Sequence, residues 1–282
     1  MKKFFWTAGL TLSLLSISFS FAVRHVNGQV DESTTSDFVA PAVFQAAGPS
    51  ATSIQGIVTA YQAALGGQNN NNDGAHNDGF RLINWDGGNP ANVTTTISPN
   101  PFAGFQTTRG ALFTTPDGTG FVQAPPSGLA SASVFNNPSY ATIFTPFSQS
   151  RLFSAIGSNV TDVTFFVPGG GNVAAATKGF GAVFTDVDQP DGSGPGEKRG
   201  NRKASTLIEC FGVNGELLFS SFVPASPGDH SLSFFGVVFP DERIARVRIT
   251  SGNATPGADD VGKQDVVMMD DFIYGEPKAP LP

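Results

Sequence analysis

Four aspartates at the ends of two apolar segments are the residues of this sequence best suited to binding a metal ion. Asp186 and Asp188 close one such segment, and Asp270 and Asp271 directly follow the apolar run Val266–Met269. A carboxylate at the end of a buried strand is costly unless it is paired. Hard oxygen ligands of this kind suit calcium rather than zinc. We predict one structural calcium site from these four residues, with turn capping or ion pairing to nearby arginines as the alternative.

A second group of residues could bind a sugar. The segment FRLINWDG places Asn84, Trp85 and Asp86 next to one another. A tryptophan ring stacks on the apolar face of a sugar, while an amide and a carboxylate bind its hydroxyls. We predict a glycan or cell-surface ligand at these three residues, with Arg109 and Tyr140 as further contacts. The alternative is that Trp85 packs into the core and Asp86 caps a turn.

The sequence contains little of the usual catalytic equipment. It has no G-x-S-x-G motif, and the histidines beyond the N-terminal region, His76 and His230, lie in polar loops. Catalysis by two carboxylates remains an alternative because several aspartates are present. We therefore predict no catalytic residue and treat an enzymatic role as the least favoured function.

Composition favours strands. The 282 residues include 26 Phe, 33 Gly and 20 Pro but only 14% charged residues, a balance typical of a β-rich domain with many turns. The net charge of -7 argues against non-specific binding to nucleic acid. A single cysteine, Cys210, excludes an intrachain disulfide.

The N-terminus has the pattern of an export signal. Lys2 and Lys3 precede the apolar stretch Leu10–Phe21, with cleavage expected near Ala22 or Gly28. We predict a secreted or extracytoplasmic protein with no membrane span once the signal is removed. The expected organisation is a signal peptide over residues 1–22, a flexible leader over 23–50, one β-sandwich domain over 51–277 and a tail over 278–282.

One helix is predicted ahead of the strands. Ser53 is the expected N-cap, the following apolar residues recur at helical spacing, and Gly66-Gly67 ends the helix. We predict that this helix packs on the side or end of the sheet, with a role in binding as the alternative.

The remaining pattern is that of strands and turns. Arg246–Thr250 alternates polar and apolar residues, as in a strand with one buried face, whereas Val266–Met269 is continuously apolar, as in a strand covered on both faces. Three hairpins are predicted. They pair Arg109–Phe113 with Gly120–Gln123, Arg151–Ile156 with Val160–Pro168, and Thr206–Phe211 with Glu216–Val223.

Four sequence blocks resemble an uncharacterised family of exported bacterial proteins. The blocks are INWDG at Ile83–Gly87, FFVPG at Phe165–Gly169, GFGAVFTDVD at Gly179–Asp188 and MDDFIYGEP at Met269–Pro277. The last third of the chain also resembles the closing strands of galactose-binding-like jelly rolls. That resemblance implies an all-β, jelly-roll-type antiparallel sandwich, and it implies that Asp270, with Asp271 beside it, helps to hold a structural calcium ion.

Three functions follow from these patterns. The first is a secreted, non-catalytic module that binds a glycan or another surface component. The second is a structural or interaction protein of the cell envelope or matrix with no small ligand. The third is a secreted carbohydrate-active enzyme. The first requires Trp85 to be accessible in a concave surface, and the third requires two carboxylates to converge in a cleft.

Overall fold

The computed structural model describes residues 40–72, 74–89, 91–188, 206–262 and 264–280. The predicted signal peptide and residues 23–39 of the predicted leader lie outside this range. The described residues form fourteen strands and four helices in the following order. They are β1 Ala42–Gly48, α1 Ala51–Ala64, β2 Phe80–Ile83, β3 Thr96–Pro99, β4 Phe102–Phe105, α2 Gln106–Arg109, β5 Ala111–Thr114, β6 Gly120–Ala124, α3 Pro126–Leu129, α4 Tyr140–Ile143, β7 Leu152–Ile156, β8 Val160–Phe165, β9 Gly179–Thr185, β10 Leu207–Phe211, β11 Leu217–Phe222, β12 Leu232–Val238, β13 Arg246–Thr250 and β14 Met268–Gly275.

The strands form two antiparallel sheets packed as a sandwich, which confirms the predicted all-β class. The larger sheet has eight strands in the order β1-β12-β9-β14-β7-β6-β3, and β2 pairs with the far part of β14. The smaller sheet has six strands in the order β11-β10-β13-β8-β5-β4. β14 is a central strand of the larger sheet, because β9, β7 and β2 all pair with it.

β9 and β14 are buried on both faces, as the sequence predicts for β14 and for the segment that ends at Asp188. One face packs in the main core against the smaller sheet. On the other face, α1 covers the sheet through Tyr61, whose hydroxyl donates to the Ile273 carbonyl at 3.3 Å. Gly181 and Gly236 are opposite each other in the sheet, and a Cβ at either would lie within 2.9 Å of the Tyr61 ring. Two side-chain-free positions thus let the helix lie close against the sheet.

The N-terminal helix forms where expected, but its start differs. The N-cap is Ser50 rather than Ser53, and its backbone is extended, as an N-cap requires. At the other end, Gly66 and Gly67 adopt positive φ angles directly after the C-cap Leu65, which confirms that the glycine pair ends the helix.

The domain begins earlier and extends further than predicted. Residues 42–48, assigned from sequence to a flexible leader, form β1 and pair with β12 along its whole length. The segment is short, with Gln45 as its one polar side chain and three alanines, so its strand character comes largely from pairing with a buried neighbour. Lys278, assigned to the tail, exchanges backbone hydrogen bonds of 2.8 and 2.9 Å with Ala176.

Only one of the three predicted hairpins is correct. β10 and β11 pair directly, as expected. β5 and β6 form at about the expected positions but belong to different sheets, and the same is true of β7 and β8. The turns at Pro116-Asp117-Gly118 and Gly157-Ser158-Asn159 therefore carry the chain from one layer of the sandwich to the other.

Candidate functional site

Three aspartates from two distant parts of the chain meet at one end of the larger sheet. Asp186 directly follows β9, Asp188 lies two residues further on, and Asp260 lies in the loop that precedes β14. One carboxylate oxygen of each lies within 4.8 Å of the other two. The group could hold a metal ion, because a cation can contact all three carboxylates at once.

Asp186 is the central member of this group. It is 1% exposed, and neither of its carboxylate oxygens accepts a hydrogen bond within the described residues. The other two carboxylates are partly engaged, since Asp188 Oδ1 accepts from the Gly228 N–H at 2.7 Å and Asp260 Oδ1 accepts from the Val266 N–H at 3.4 Å. A buried carboxylate without a donor is a strongly unfavourable arrangement, so Asp186 requires either a proton or a cation.

The electrostatics around Asp186 are uniformly negative. Burial first, and then the adjoining Asp260 carboxyl and the charges of Asp188 and Asp229, together raise the pKa of Asp186 to about 10. Burial also raises the pKa of Asp260. A bound divalent cation would reverse this effect, since it stabilises the ionised form of every carboxylate it contacts.

Asp270 and Asp271 do not belong to this group, which corrects the prediction of one site built from four aspartates. β9 and β14 are neighbours, as expected, but Met268 pairs with Thr185. Asp270 and Asp271 are therefore beside the body of β9, whereas Asp186 lies beyond its end. The third carboxylate comes instead from the loop before β14, at Asp260.

The Asp270 and Asp271 carboxylates hold a neighbouring chain segment instead. Asp270 Oδ2 accepts from the backbone N–H groups of Phe147 and Ser148 at 2.7 and 3.1 Å. Asp271 Oδ1 accepts from the Ser148 hydroxyl at 2.6 Å. Asp86 continues the pattern, because its Oδ1 accepts from the backbone N–H groups of Ser150 and Arg151. Together these carboxylates attach residues 147–151 to β14 and to the end of β2.

We expect the Asp271 carboxyl to make stability fall as pH rises from about 4 to about 6. Burial raises the pKa of Asp271 to about 6, whereas an aspartate in the unfolded chain ionises near 3.9. The folded state therefore binds the proton more tightly, so its contribution is present at low pH and is lost as pH rises through the folded pKa. The expected loss is about 2–3 kcal/mol, since the pKa difference is about two units and one unit corresponds to about 1.4 kcal/mol.

Urea unfolding of the protein in EGTA at several pH values measures the slope of the free energy of unfolding against pH. Asp271→Asn should reduce it, because the variant cannot ionise at that position. An unchanged slope in Asp271→Asn would assign the pH dependence to other groups.

Trp85 is not an exposed sugar platform, which corrects the prediction made from its sequence context. It is 1% exposed, and its ring stacks on Phe153 with centroids 3.8 Å apart. Phe113 and Phe272 contact the ring edge-on from within the core. The indole faces are thus occupied by other aromatic rings, and the alternative of a core tryptophan is correct. Asp86 is likewise buried rather than available to a sugar.

Tyr140 is also wrong as a ligand contact. It is fully buried in a small second core on the outer side of the larger sheet. Its hydroxyl donates to the Ala258 carbonyl and accepts from the Gly257 N–H, both at 2.8 Å. These bonds anchor the loop that carries Asp260, so Tyr140 supports the aspartate group rather than a sugar.

Three of the five predicted ligand residues nevertheless line one cavity. Asn84, Trp85 and Arg109 enclose a volume of about 220 Å³. The other lining residues are Leu82, Ile83, Gly87, Gly88 and Phe105. Arg109 is held in place by a 2.6 Å hydrogen bond from its Nη1 to the Asn71 carbonyl. The cavity is small, because sites for drug-sized ligands usually occupy about 300–1,000 Å³.

Sequence reasoning missed Asp260. It lies in the segment Pro256-Gly257-Ala258-Asp259-Asp260, whose turn-forming residues and paired acids were the available signal. Only the fold shows that this loop returns to the end of β9. Arg81 and Glu276, which form a fully buried ion pair, were missed for the same reason.

Comparisons with known proteins give no match. No protein-family model matches this sequence, and no curated protein or solved structure is significantly similar to the chain. Within the described residues, no helix is both long enough and apolar enough to cross a membrane.

Proposed function

We propose that this protein is an exported, non-catalytic β-sandwich module stabilised by a calcium ion at Asp186, Asp188 and Asp260. The observation that carries the proposal is the Asp186 carboxylate, which is buried, lacks any hydrogen-bond donor in the described chain and faces two further carboxylates. Export is supported by the N-terminal pattern of Lys2 and Lys3 ahead of an apolar stretch.

The ligand chemistry favours calcium among the common metal ions. All three candidate ligands are carboxylate oxygens, with no histidine or cysteine in the group. Zinc and copper sites are usually built with nitrogen or sulfur ligands, whereas calcium takes six to eight oxygens in a flexible geometry. Magnesium requires a near-ideal octahedral geometry and is usually bound through one or two carboxylates, whereas this group offers three.

An ion at this position would connect three chain segments. Asp186 and Asp188 follow β9, Asp260 precedes β14, and Asp188 also accepts a hydrogen bond from Gly228 in the loop that precedes β12. These three strands are adjacent in the larger sheet. Calcium would therefore hold together the loops at one end of the most buried strands of the domain. Such an ion stabilises the fold and requires no chemical step.

The thermal unfolding midpoint of the full chain should rise when calcium replaces a chelator. Extracellular calcium modules typically have a dissociation constant of about 10⁻⁴ M. Free calcium at about one hundred times that constant adds about 2.7 kcal/mol to the free energy of unfolding. For a domain of this size that corresponds to a rise of roughly 5–10 °C. Calorimetry in calcium, in magnesium and in EGTA measures the effect, with calcium expected to give the largest rise.

Two isosteric variants sharpen this test. Asp186→Asn removes the central ligand and should abolish the calcium-dependent rise. Asp229→Asn removes an exposed carboxylate near the site without removing a member of the group, and it should retain most of the rise. Equal midpoints for the wild-type protein in calcium and in EGTA would refute the calcium site.

A further inference from the structure

β1 ends the larger sheet, and one of its two edges is open. It pairs with β12 in unbroken register from Ala42 to Gly48, and it has no second neighbour among the described strands. Hydrogen bonds at the two ends of β12 show which way its residues point. The Ser231 carbonyl accepts from the Asp186 N–H, and the Phe239 N–H donates to the Lys178 carbonyl. The odd-numbered residues of β12 therefore direct their backbone groups toward β9.

The open edge of β1 consists of the backbone groups of three residues. Successive residues of a strand direct these groups to opposite sides, so the even-numbered residues of β12 bond to β1. Their partners in β1 are its even-numbered residues. Val43, Gln45 and Ala47 thus point away from the sheet, and their N–H and C=O groups make no hydrogen bond within the described residues. Such a row of unpaired groups is a template for another strand.

The β1 edge lacks the features that usually prevent strand pairing. Proteins protect an edge strand with charged side chains, proline, a bulge or a very short length. β1 has seven residues and an unbroken register, and it contains neither a charge nor a proline. The other strands at the sheet ends are shorter or interrupted, since β3 and β4 have four residues each and the pairing of β11 shifts register. β1 is therefore the sheet end best suited to pair with a further strand.

The surroundings of this edge favour a second copy of the chain as the partner. Residues 40–72, which include β1 and α1, contain no charged side chain. α1 lies beside the edge, with the Tyr61 and Phe44 ring centroids 5.6 Å apart. Because the whole chain carries a net charge of -7, two copies repel each other over much of their surface. At the β1 edge they can meet without placing like charges opposite one another.

We propose that β1 pairs with β1 of a second copy, antiparallel and about a two-fold axis at Gln45. A two-fold interface must be self-complementary, and antiparallel pairing of identical strands meets that requirement. Gln45 then lies opposite Gln45 of the partner subunit, and Val43 lies opposite the partner's Ala47. Each pair exchanges both of its N–H···O bonds, and the two larger sheets become one. The edge contains none of the three aspartates proposed to bind calcium, so the two proposals fail independently.

Sedimentation velocity of the full chain in calcium measures its mass as a function of concentration. The wild-type protein should pass from monomer to dimer between about 1 and 100 μM, because a small interface gives weak affinity. Gln45→Pro removes the central outward N–H without removing a bond to β12, and it should remain monomeric at about 100 μM. Gln45→Thr is the matched control. It keeps the N–H and suits a strand, so its Kd should stay within about twofold of the wild-type value.

Circular dichroism of each variant checks that it folds. If Gln45→Pro unfolds, Gln45→Lys provides the same test, because like charges directly opposite each other are destabilising and the Kd should rise at least about threefold. A wild-type chain that is monomeric at about 100 μM would overturn the proposal. An equally strong dimer in Gln45→Pro would overturn the role of β1. Loss of the dimer in Gln45→Thr would overturn backbone pairing as its cause.

Discussion

Replacing Arg81 with methionine is expected to lower the free energy of unfolding by about 3–5 kcal/mol, the usual cost of removing one partner from a buried ion pair. The Arg81 and Glu276 side chains are 0% and 1% exposed. Arg81 Nε and Nη2 each donate to a Glu276 carboxylate oxygen at 2.7 Å. The variant would leave the Glu276 carboxylate buried without its cation.

The Arg81 guanidinium also organises the loop between α1 and β2. It donates to the Asn72 and Gly74 carbonyls, while Glu276 accepts from Asn70 Nδ2 and the His76 N–H. The ion pair therefore attaches this loop to the residue that follows β14. Loss of Arg81 should release the loop as well as destabilise the sheet, and native-state hydrogen exchange would detect that release at residues 70–72 and 74–76.

Urea unfolding of Arg81→Met, followed by circular dichroism in calcium, measures the stability effect. Arg243→Met is the matched control because the Arg243–Asp241 ion pair is partly exposed, at 32% and 60% for the two side chains. Exposed pairs contribute about 0–1 kcal/mol. The double variant Arg81→Met/Glu276→Met should recover part of the loss, since no uncompensated charge remains. An Arg81→Met effect as small as that of Arg243→Met would contradict the burial of this pair.

Trp85→Ala is expected to destabilise the domain by about 3–5 kcal/mol, the typical cost of truncating a large aromatic side chain in a core. The ring stacks on Phe153 and meets Phe105, Phe113 and Phe272 edge-on. Removing it leaves a cavity between the two sheets, and these neighbours lose their contacts.

Circular dichroism in urea is the suitable measurement, because Trp85→Ala also removes the fluorescence of the core tryptophan. Trp85→Phe is the control that keeps most of the ring, so it should cost distinctly less than Trp85→Ala. If Trp85→Ala changed stability by less than about 1 kcal/mol, the residue would be behaving as a surface side chain, and the sugar-stacking role predicted from sequence would regain its support.

Features of the fold that depend on local pattern were predictable. The alternation in Arg246–Thr250 matches the alternating burial of β13, and the fully apolar run before Asp270 matches the complete burial of β14. The hairpin of β10 and β11 was also predictable, because Asn214-Gly215 encodes a tight turn. In each case neighbouring residues carry the whole signal.

Features that depend on which layer a strand joins were not predictable. The turn at Pro116-Asp117-Gly118 has hairpin chemistry, yet β5 and β6 lie in opposite sheets. A turn sequence sets the local change of direction but does not determine which neighbours complete the hydrogen bonding of the flanking strands. Residues 42–48 show the same limit, because only pairing with β12 makes them a strand.

The sequence by itself determined the β-rich class, the N-terminal helix and the candidacy of Asp186 and Asp188 as metal ligands. The tertiary structure decided that Asp260 completes their group, that Asp270 and Asp271 hold a loop, and that Trp85 lies in the core. The physical reason is that burial and the meeting of side chains distant in sequence depend on how the two sheets pack, whereas strand character and turn chemistry depend mainly on adjacent residues.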